Sequence, residues 1–498
     1  MVATSAESGL RGWRRLRRRG KGSARLMSGR GVRAYLWVVA GLCLAGAAMG
    51  VLCSDAAADT LEWALVQAYQ NNPSLNSQRA ALRVIDENVP QALSGYRPKI
   101  SLTAVSGYNY ENATQQLPIG GALTTTTYAS QFLSRTVGLT GTQTLFNGFQ
   151  TANRTRQAES QVDAARETLR VTEQQVLLDA ATAYMNLLRD GAILELNQSN
   201  VQVLTEQLKQ TRDRFNVGEV TRTDVAQAES RLAAGRSALL GAQSNFVTSQ
   251  ANYRRVIGVN PGKLAAGTPV DRLSPNALPR AITQGQTLSP SVLAAMYGVD
   301  VAQLGVKISE GALYPNLSIT AAGSYGVDPA FEQTRATQAS VLGQLTVPIY
   351  QGGGEYSTIR QSKETLGQQR LSLDINRDQA RATVVQSWGQ LDAAKAQIES
   401  TTAQVNAAEI ALNGVREEAR VGQRTTLDVL NAQQELVNAR VALVTAQHDR
   451  VVASYTLLAA VGALSMQRLG LNVVIYDPMV HYQQIRDAWA GVRNPDGR

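Results

Sequence analysis

The chain has 498 residues, of which 44% are hydrophobic, 5% aromatic and 17% charged, so it can build a large core but holds few of the aromatic side chains that usually fill one. Its formal net charge is +9, but residues 1–58 carry ten basic and two acidic residues, which leaves 38 basic and 37 acidic residues beyond them. Nucleic-acid binding needs a cationic surface that persists in the working protein, and this distribution excludes it.

Residues 1–58 are predicted to be a signal peptide with a basic leader. A basic stretch precedes a long uncharged run, and small residues follow it up to Ala58, after which we expect cleavage. Two alternatives stay open: the run is long enough for a retained membrane anchor, and translation could start at Met27. Both cysteines, Cys43 and Cys53, lie in this leader, so the mature chain is predicted to hold no disulfide.

A short helix and then a β-hairpin are predicted to begin the mature chain. Residues 100–110 alternate between apolar and polar side chains, and residues 133–145 supply a weaker partner strand. The same pattern recurs in residues 317–325 and 341–347, which predicts a second hairpin and four strands in all. A soluble sheet with one wet face gives the same alternation, so the pattern alone does not decide between water and lipid.

Two tracts without proline, residues 119–260 and 349–477, predict very long helices. Apolar residues at seven-residue steps indicate helices that pack against helices. Residues 151–216 run without a capping signal, which corresponds to a rod of about 100 Å. The first heptad series consists of Val162, Leu169, Val176 and Ala183.

The chain also contains an internal repeat. A shift of 217 residues aligns Pro73 with Pro290, and a shift of 204 aligns Gly148 with Gly352. Each half therefore has the order short helix, hairpin, very long helix, sharp turn and returning helix. We expect the following division: residues 59–259 as the first repeat, 260–280 as a linker, 281–466 as the second repeat, and 467–498 as a C-terminal equatorial segment and tail.

The turns between the long helices are the most specific local signal. The motif V-G-x-x-T occurs at residues 217–221 and again at 421–425. Glycine permits the chain reversal, and the threonine can accept hydrogen bonds from the free amides of the returning helix. Charged residues gather beside both turns, where rings around a symmetry axis could hold a narrow aperture shut.

A membrane-spanning helix is not expected, because the most apolar run of the mature chain, residues 451–466, is interrupted by polar side chains. Weak alternating strands in an exported chain favour a transmembrane β-barrel instead. Four strands cannot close a barrel, so several copies must share one. Three copies with twelve strands leave a wider lumen than two copies with eight.

These features together resemble the TolC-like outer membrane factor family. The resemblance rests on Asn71-Asn72-Pro73, on the strand-to-helix turns at residues 146–148 and 350–353, and on the two turns described above, and it covers nearly all of residues 59–490. It implies an internally duplicated α+β membrane protein with four strands per chain. Three copies would share a twelve-stranded barrel in the outer membrane of a Gram-negative bacterium, continued by an α-helical coiled-coil barrel across the periplasm.

The resemblance also implies a homotrimeric conduit without chemistry of its own. It would dock on a periplasmic adaptor, which connects it to an inner-membrane ABC or proton-driven transporter, and would carry proteins of type I secretion, small molecules in efflux, or both. The residues implied in adaptor docking are Val217, Gly218, Thr221, Val421, Gly422 and Thr425.

A periplasmic gate is implied at the same tips. In the family, a carboxylate of the first hairpin and an arginine of the second hold the tunnel closed, which corresponds here to Asp224 and Arg424. Asp428 falls at the first ring of constricting aspartates. Two positions depart from the family pattern: Asn431 replaces the second aspartate ring, and Ala419 stands where an aromatic residue is expected.

An enzyme and a scaffold are the competing interpretations. The mature chain holds only two histidines, His448 and His481, no cysteine, and no paired carboxylates with a pocket pattern, so we expect no catalytic residue, cofactor or metal. His448 lies among polar helix residues and is expected to be solvated. An exported periplasmic coiled-coil scaffold without a pore would explain the heptads but not the amphipathic hairpins.

Overall fold

The computed structural model describes residues 59–330 and 333–495, so the predicted leader of residues 1–58 lies outside the described residues. Long helices and one antiparallel sheet make up this part of the chain. The helices span Leu61–Asn71, Pro73–Asp86, Asn88–Leu93, Gln150–Asn216, Arg222–Ile257, Leu278–Leu288, Pro290–Gly311, Gly354–Arg420, Thr426–Ala460, Met466–Leu469 and Pro478–Ile485.

The sheet has four strands in the order β1-β2-β3-β4, which confirms four strands per chain. They span Lys99–Ile119 (β1), Ala122–Asn147 (β2), Asn316–Val327 (β3) and Arg335–Thr346 (β4). β1 and β4 are the edge strands. β3 pairs with β2 only from Arg135 onwards, so the β1-β2 hairpin projects beyond the four-stranded part.

The elements of the two halves recur with the offsets found in the sequence. The first long helix (Gln150–Asn216) and the second long helix (Gly354–Arg420) have 67 residues each and begin 204 positions apart. The short helices Leu61–Asn71 and Leu278–Leu288 begin 217 positions apart. The difference between the offsets arises in the hairpins, because β1 and β2 have 21 and 26 residues whereas β3 and β4 have 12 each.

Glycine makes the junction between β2 and the first long helix possible. Gly148 has φ +63°, a conformation that residues with a Cβ adopt rarely. A Cβ built on Gly148 would lie 2.1 Å from the carbonyl oxygen of Gly311, so there is also no room for a side chain at this position. The backbone of the helix Pro290–Gly311 thus fixes where the first long helix leaves the sheet.

The core lies where the long helices pack on the short ones. The first heptad series is buried as predicted, with Val162 1% exposed and Leu169 7% exposed. Tyr184 is fully buried, and its hydroxyl oxygen lies 2.7 Å from the carbonyl oxygen of Asp59 and 2.6 Å from that of Ala265. The prediction that His448 is solvated is wrong, because this residue is only 7% exposed.

The stretch that hydropathy identifies as a candidate membrane span differs from residues 451–466, the most apolar run in the sequence analysis. Among the described residues, the stretch Leu278–Gly311 is long and apolar enough to cross a membrane by length and composition alone, and an 18-residue window within it has a mean hydropathy of 1.2. The backbone leaves the helical conformation at Ser289, which divides this stretch into two helices. Both of them pack against the second long helix.

Candidate functional site

The two turns between long and returning helices have the same backbone geometry. In the first tip (residues 217–221), Gly218 has φ +82°, and the amide of Glu219 donates to the carbonyl of Arg214 at 2.9 Å. In the second tip (residues 421–425), Gly422 has φ +81°, and the amide of Gln423 donates to the carbonyl of Glu418, also at 2.9 Å. A left-handed residue with this bond is the usual way to end a helix.

The first return helix (Arg222–Ile257) and the second return helix (Thr426–Ala460) each begin with a capping box. The hydroxyl of Thr221 accepts from the amide of Asp224 at 3.3 Å, and the Asp224 carboxylate accepts from the amide of Thr221 at 2.9 Å. Thr425 and Asp428 repeat this arrangement at 3.2 and 3.0 Å. The predicted aspartates and threonines thus stabilise their own helix ends.

These caps leave part of each aspartate available. The hydrogen bond from the Thr221 side chain, followed by that from its backbone, holds the pKa of the Asp224 carboxyl below its usual value. At Asp428 the backbone bond from Thr425 is the larger cause of the same lowering of the pKa. Both caps use Oδ2. Each carboxylate is therefore ionised at neutral pH, and its Oδ1 can still accept a hydrogen bond from a further cationic group.

Arg424 lies on the second tip, and Asp224 lies in the first turn of the first return helix. Nε of Arg424 donates to the carboxylate of Glu418, near the end of the second long helix, at 2.9 Å. Its terminal nitrogens make no hydrogen bond or ion pair with the residues that the structure describes. Within one chain each predicted gate residue is thus engaged by its own tip, and each retains an unused donor or acceptor.

Exposed apolar side chains flank both glycines. Val217 is 72% exposed and Val421 is 70% exposed. A Cβ on Gly218 or Gly422 would meet no atom within 4 Å, so both tips are open on this side. Each tip therefore presents a narrow backbone turn beside an apolar side chain, which is a surface that another protein can contact closely.

Two links between the hairpins were missed by the sequence analysis. Leu430 of the second return helix is 2% exposed and packs in a cluster with Leu204, Leu208 and Leu232 of the first hairpin. Beside it, the guanidinium of Arg231 donates to the side-chain oxygen of Asn431 at 2.8 Å. Asn431 is one of the two positions that depart from the pattern implied by the resemblance, and here it forms a polar link between the hairpins.

The similarity to known proteins covers both halves of the chain. The family model described as outer membrane efflux protein matches residues 64–259 and 282–463. The chain is 42% identical over 454 residues to the outer membrane efflux protein BepC of Brucella suis, covering 90% of this chain and 95% of that protein. It is 27% identical over 456 residues to the outer membrane protein TolC of Escherichia coli, covering 88% and 89%.

The fold is similar to that of a solved channel. The crystal structure of the Campylobacter jejuni CmeC outer membrane channel superimposes with a TM-score of 0.71 at 15% identity, covering 86% of this chain and 89% of that one. At this identity the likeness concerns the fold alone. The long helices and the four-stranded sheet thus belong to an architecture already seen in an outer membrane channel.

Proposed function

The chain belongs to the outer membrane efflux protein family and is an outer membrane channel, and we propose that three copies of it form one continuous conduit from the periplasm to the outside. The observation that carries this proposal is a four-stranded sheet with two free edges above helices of 67 residues. Unpaired strand edges are not tolerated in lipid, so β1 of one copy must pair with β4 of the next. Twelve strands then enclose an open lumen, which the helices extend by about 100 Å.

The division of labour along the chain follows from the repeat. Residues 59–259 and 281–466 each supply one hairpin to the barrel and one helical hairpin to the tunnel, and residues 260–280 link them. Residues 467–498 contribute to the equatorial zone. This segment is held by His481, whose Nδ1 lies 3.0 Å from the buried carboxylate of Asp86.

The helical tips are the proposed docking site for a periplasmic adaptor, which joins the conduit to an inner-membrane ABC or proton-driven transporter. The apolar Val217 and Val421 and the open glycine turns support this assignment, because they are exposed and remote from the core. The conduit itself performs no chemistry. Its cargo is either secreted proteins or small molecules, selected by the transporter.

The proposed gate uses the same tips. Oδ1 of Asp224 in one copy would accept from the free nitrogens of Arg424 in a neighbouring copy, and Asp428 would add a ring of negative charge inside the aperture. Within each copy, Leu430 and the bond between Arg231 and Asn431 hold the second hairpin against the first. Opening would separate these hairpins.

Replacing Leu430 by alanine is expected to increase the fraction of open channels. The side chain is 2% exposed among residues of the other hairpin, so the truncation costs about 2–5 kcal/mol of packing between the hairpins. In the proposed gate this packing is lost when the channel opens. The measurement is single-channel conductance of the purified variant in planar bilayers, together with protease cleavage at the tips.

Leu412→Ala is the matched control. Leu412 is also 2% exposed, but its cluster with Val405, Val429 and Leu436 lies within the second hairpin. It should destabilise that hairpin without opening the channel. Equal conductance for Leu430→Ala and the native protein would show that the link between the hairpins does not keep the channel closed.

Conductance also tests the conduit, because a periplasmic scaffold without a pore passes no current.

A further inference from the structure

The two faces of the sheet differ in chemistry. Ile100 on β1 lies opposite Gly141, which lies opposite Ala321, which lies opposite Val341 on β4. Directly opposed residues share a face, so these four define one apolar face of the sheet. The other face carries serine, threonine and glutamine, among them Ser101, Thr140, Thr320, Ser340 and Gln344. In a barrel the apolar face is directed towards lipid.

Two arginines lie on this apolar face. Arg135 on β2 is opposite Val327, and Val327 is opposite Arg335 on β4. Val327 is six residues from Ala321, an even spacing, so this arginine row (Arg135, Val327 and Arg335) shares the face defined by Ile100. The two arginines are separated by two strand spacings, about 10 Å.

Neither arginine has a partner in the part of the chain that the structure describes. Both side chains are exposed, and neither makes a hydrogen bond or an ion pair there. The neighbouring carboxylate of Asp328 accepts from the amide of Thr334 within the β3-β4 turn. Glu111 lies opposite Ser130 on the other face. Two positive charges thus lie on a lipid-directed face, without an acidic partner among the described residues.

Tyrosines fix the depth of the arginine row. Tyr325 lies two residues before Val327 on β3, and Tyr108 lies two residues beyond Ser106, the β1 residue opposite Arg135. Aromatic side chains on a barrel mark the interface between hydrocarbon and headgroups. The row is at the end of the four-stranded part remote from the long helices, so it lies at the outer leaflet.

A groove on the same face lies on the side of the row towards the long helices, and its nearest walls, Leu139 and Ala339, are four residues from Arg135 and Arg335. It has a volume of about 510 Å³, and its walls also include Ile100 and Val341. Small residues, Gly141 and Ala321 among them, form its floor. Ala321 is six residues from the row, about 20 Å along the strand.

We propose that Arg135 and Arg335 bind the phosphates of a bisphosphorylated glycolipid of the outer leaflet, with an acyl chain of the same lipid in the groove. Guanidinium groups form bidentate, charge-assisted hydrogen bonds to phosphate, which are strengthened where water is scarce. Two cations about 10 Å apart suit a headgroup with two separated phosphates. The inference goes beyond the conduit and rests on the proposed barrel, which directs the apolar face of the sheet towards lipid.

The test counts lipids that stay with the protein. Full-length mature protein is reconstituted in phosphatidylcholine nanodiscs that contain either bisphosphoryl lipid A or phosphatidylglycerol, re-extracted in mild detergent, and its bound lipid is measured by mass spectrometry. The native protein should retain lipid A in preference to phosphatidylglycerol. Arg135→Gln with Arg335→Gln should reduce the retained lipid A by about tenfold, because two charge-assisted contacts are lost.

Two further variants make the result specific. Arg135→Lys with Arg335→Lys keeps the charge and should retain an intermediate amount. Arg236→Gln with Arg370→Gln removes two exposed helical arginines and should retain as much lipid A as the native protein. Equal retention of lipid A by the glutamine variant at 135 and 335 would overturn the proposal, as would equal retention of phosphatidylglycerol by the native protein. Unchanged conductance of the variants shows that the barrel is intact.

Discussion

Replacing Asp224 and Arg424 together by alanine is expected to raise the single-channel conductance of the reconstituted protein several-fold. The variant removes the acceptor of the first tip and the donor of the second, which we propose to meet between neighbouring copies. Because every copy contributes one such contact around the aperture, the loss is repeated three times in a trimer. A modest change at each contact therefore shifts the population of open channels substantially.

The capping role of Asp224 has to be separated from its charge. Asp224 also accepts from the Thr221 amide at 2.9 Å, so alanine removes a helix cap together with the gate acceptor. Asp224→Asn keeps an oxygen for this bond but removes the charge, and with Arg424→Ala it should open the channel as well. If only the alanine form opens, the effect comes from the helix end.

Glu219→Ala is the control for any change of charge at the tip. Glu219 forms an exposed ion pair with Arg214 at 2.9 Å on the same turn as the proposed gate. Exposed pairs of this kind contribute little to stability. Native conductance is therefore expected for this variant, and unchanged conductance of the double alanine variant would refute the assignment of the gate.

Replacing Gly218 and Gly422 by valine is expected to abolish most adaptor-dependent export while trimers persist in the outer membrane. Their φ angles of +82° and +81° are strongly unfavourable for a β-branched residue, so the turns must change shape. A Cβ there meets no atom within 4 Å, so the rest of the chain is undisturbed. Export is measured in cells, and trimers are measured in isolated outer membranes.

Two other glycines provide the controls for this experiment. Gly241→Ala, on an exposed part of the first return helix with nothing within 4 Å, should leave export unchanged. Gly148→Ala places a Cβ 2.1 Å from a backbone oxygen and should reduce the amount of trimer. Loss of trimers in the Gly218 and Gly422 variants would make those glycines structural and would contradict their role in docking.

The sequence predicted the helical part of the fold well because its signals are local. Heptads, missing prolines and the V-G-x-x-T turns depend on residues within one or two helical turns of each other. The strands were predicted too short. Residues 111–130 are rich in threonine and show no apolar alternation, yet apart from the turn they continue β1 and β2 because the two strands pair with each other.

The features that could not be predicted from the sequence depend on contacts between segments that are far apart in the chain. Leu430 was one apolar heptad residue among many, and its burial in the other hairpin depends on how two helical hairpins pack. Arg135 and Arg335 are 200 residues apart, and only the strand register places them in one row. The burial of His448 likewise follows from packing, and its Nδ1 lies 2.8 Å from the carboxylate of the adjacent Asp449.

The most direct test of a trimeric conduit combines fractionation, mass and current on one preparation. The envelope is fractionated, the mature protein is extracted from the outer membrane in mild detergent, its mass is determined, and the same sample is reconstituted in planar bilayers. We expect an outer membrane trimer that conducts ions in discrete steps. A monomer, or an oligomer that passes no current, would contradict the shared barrel and the gate together.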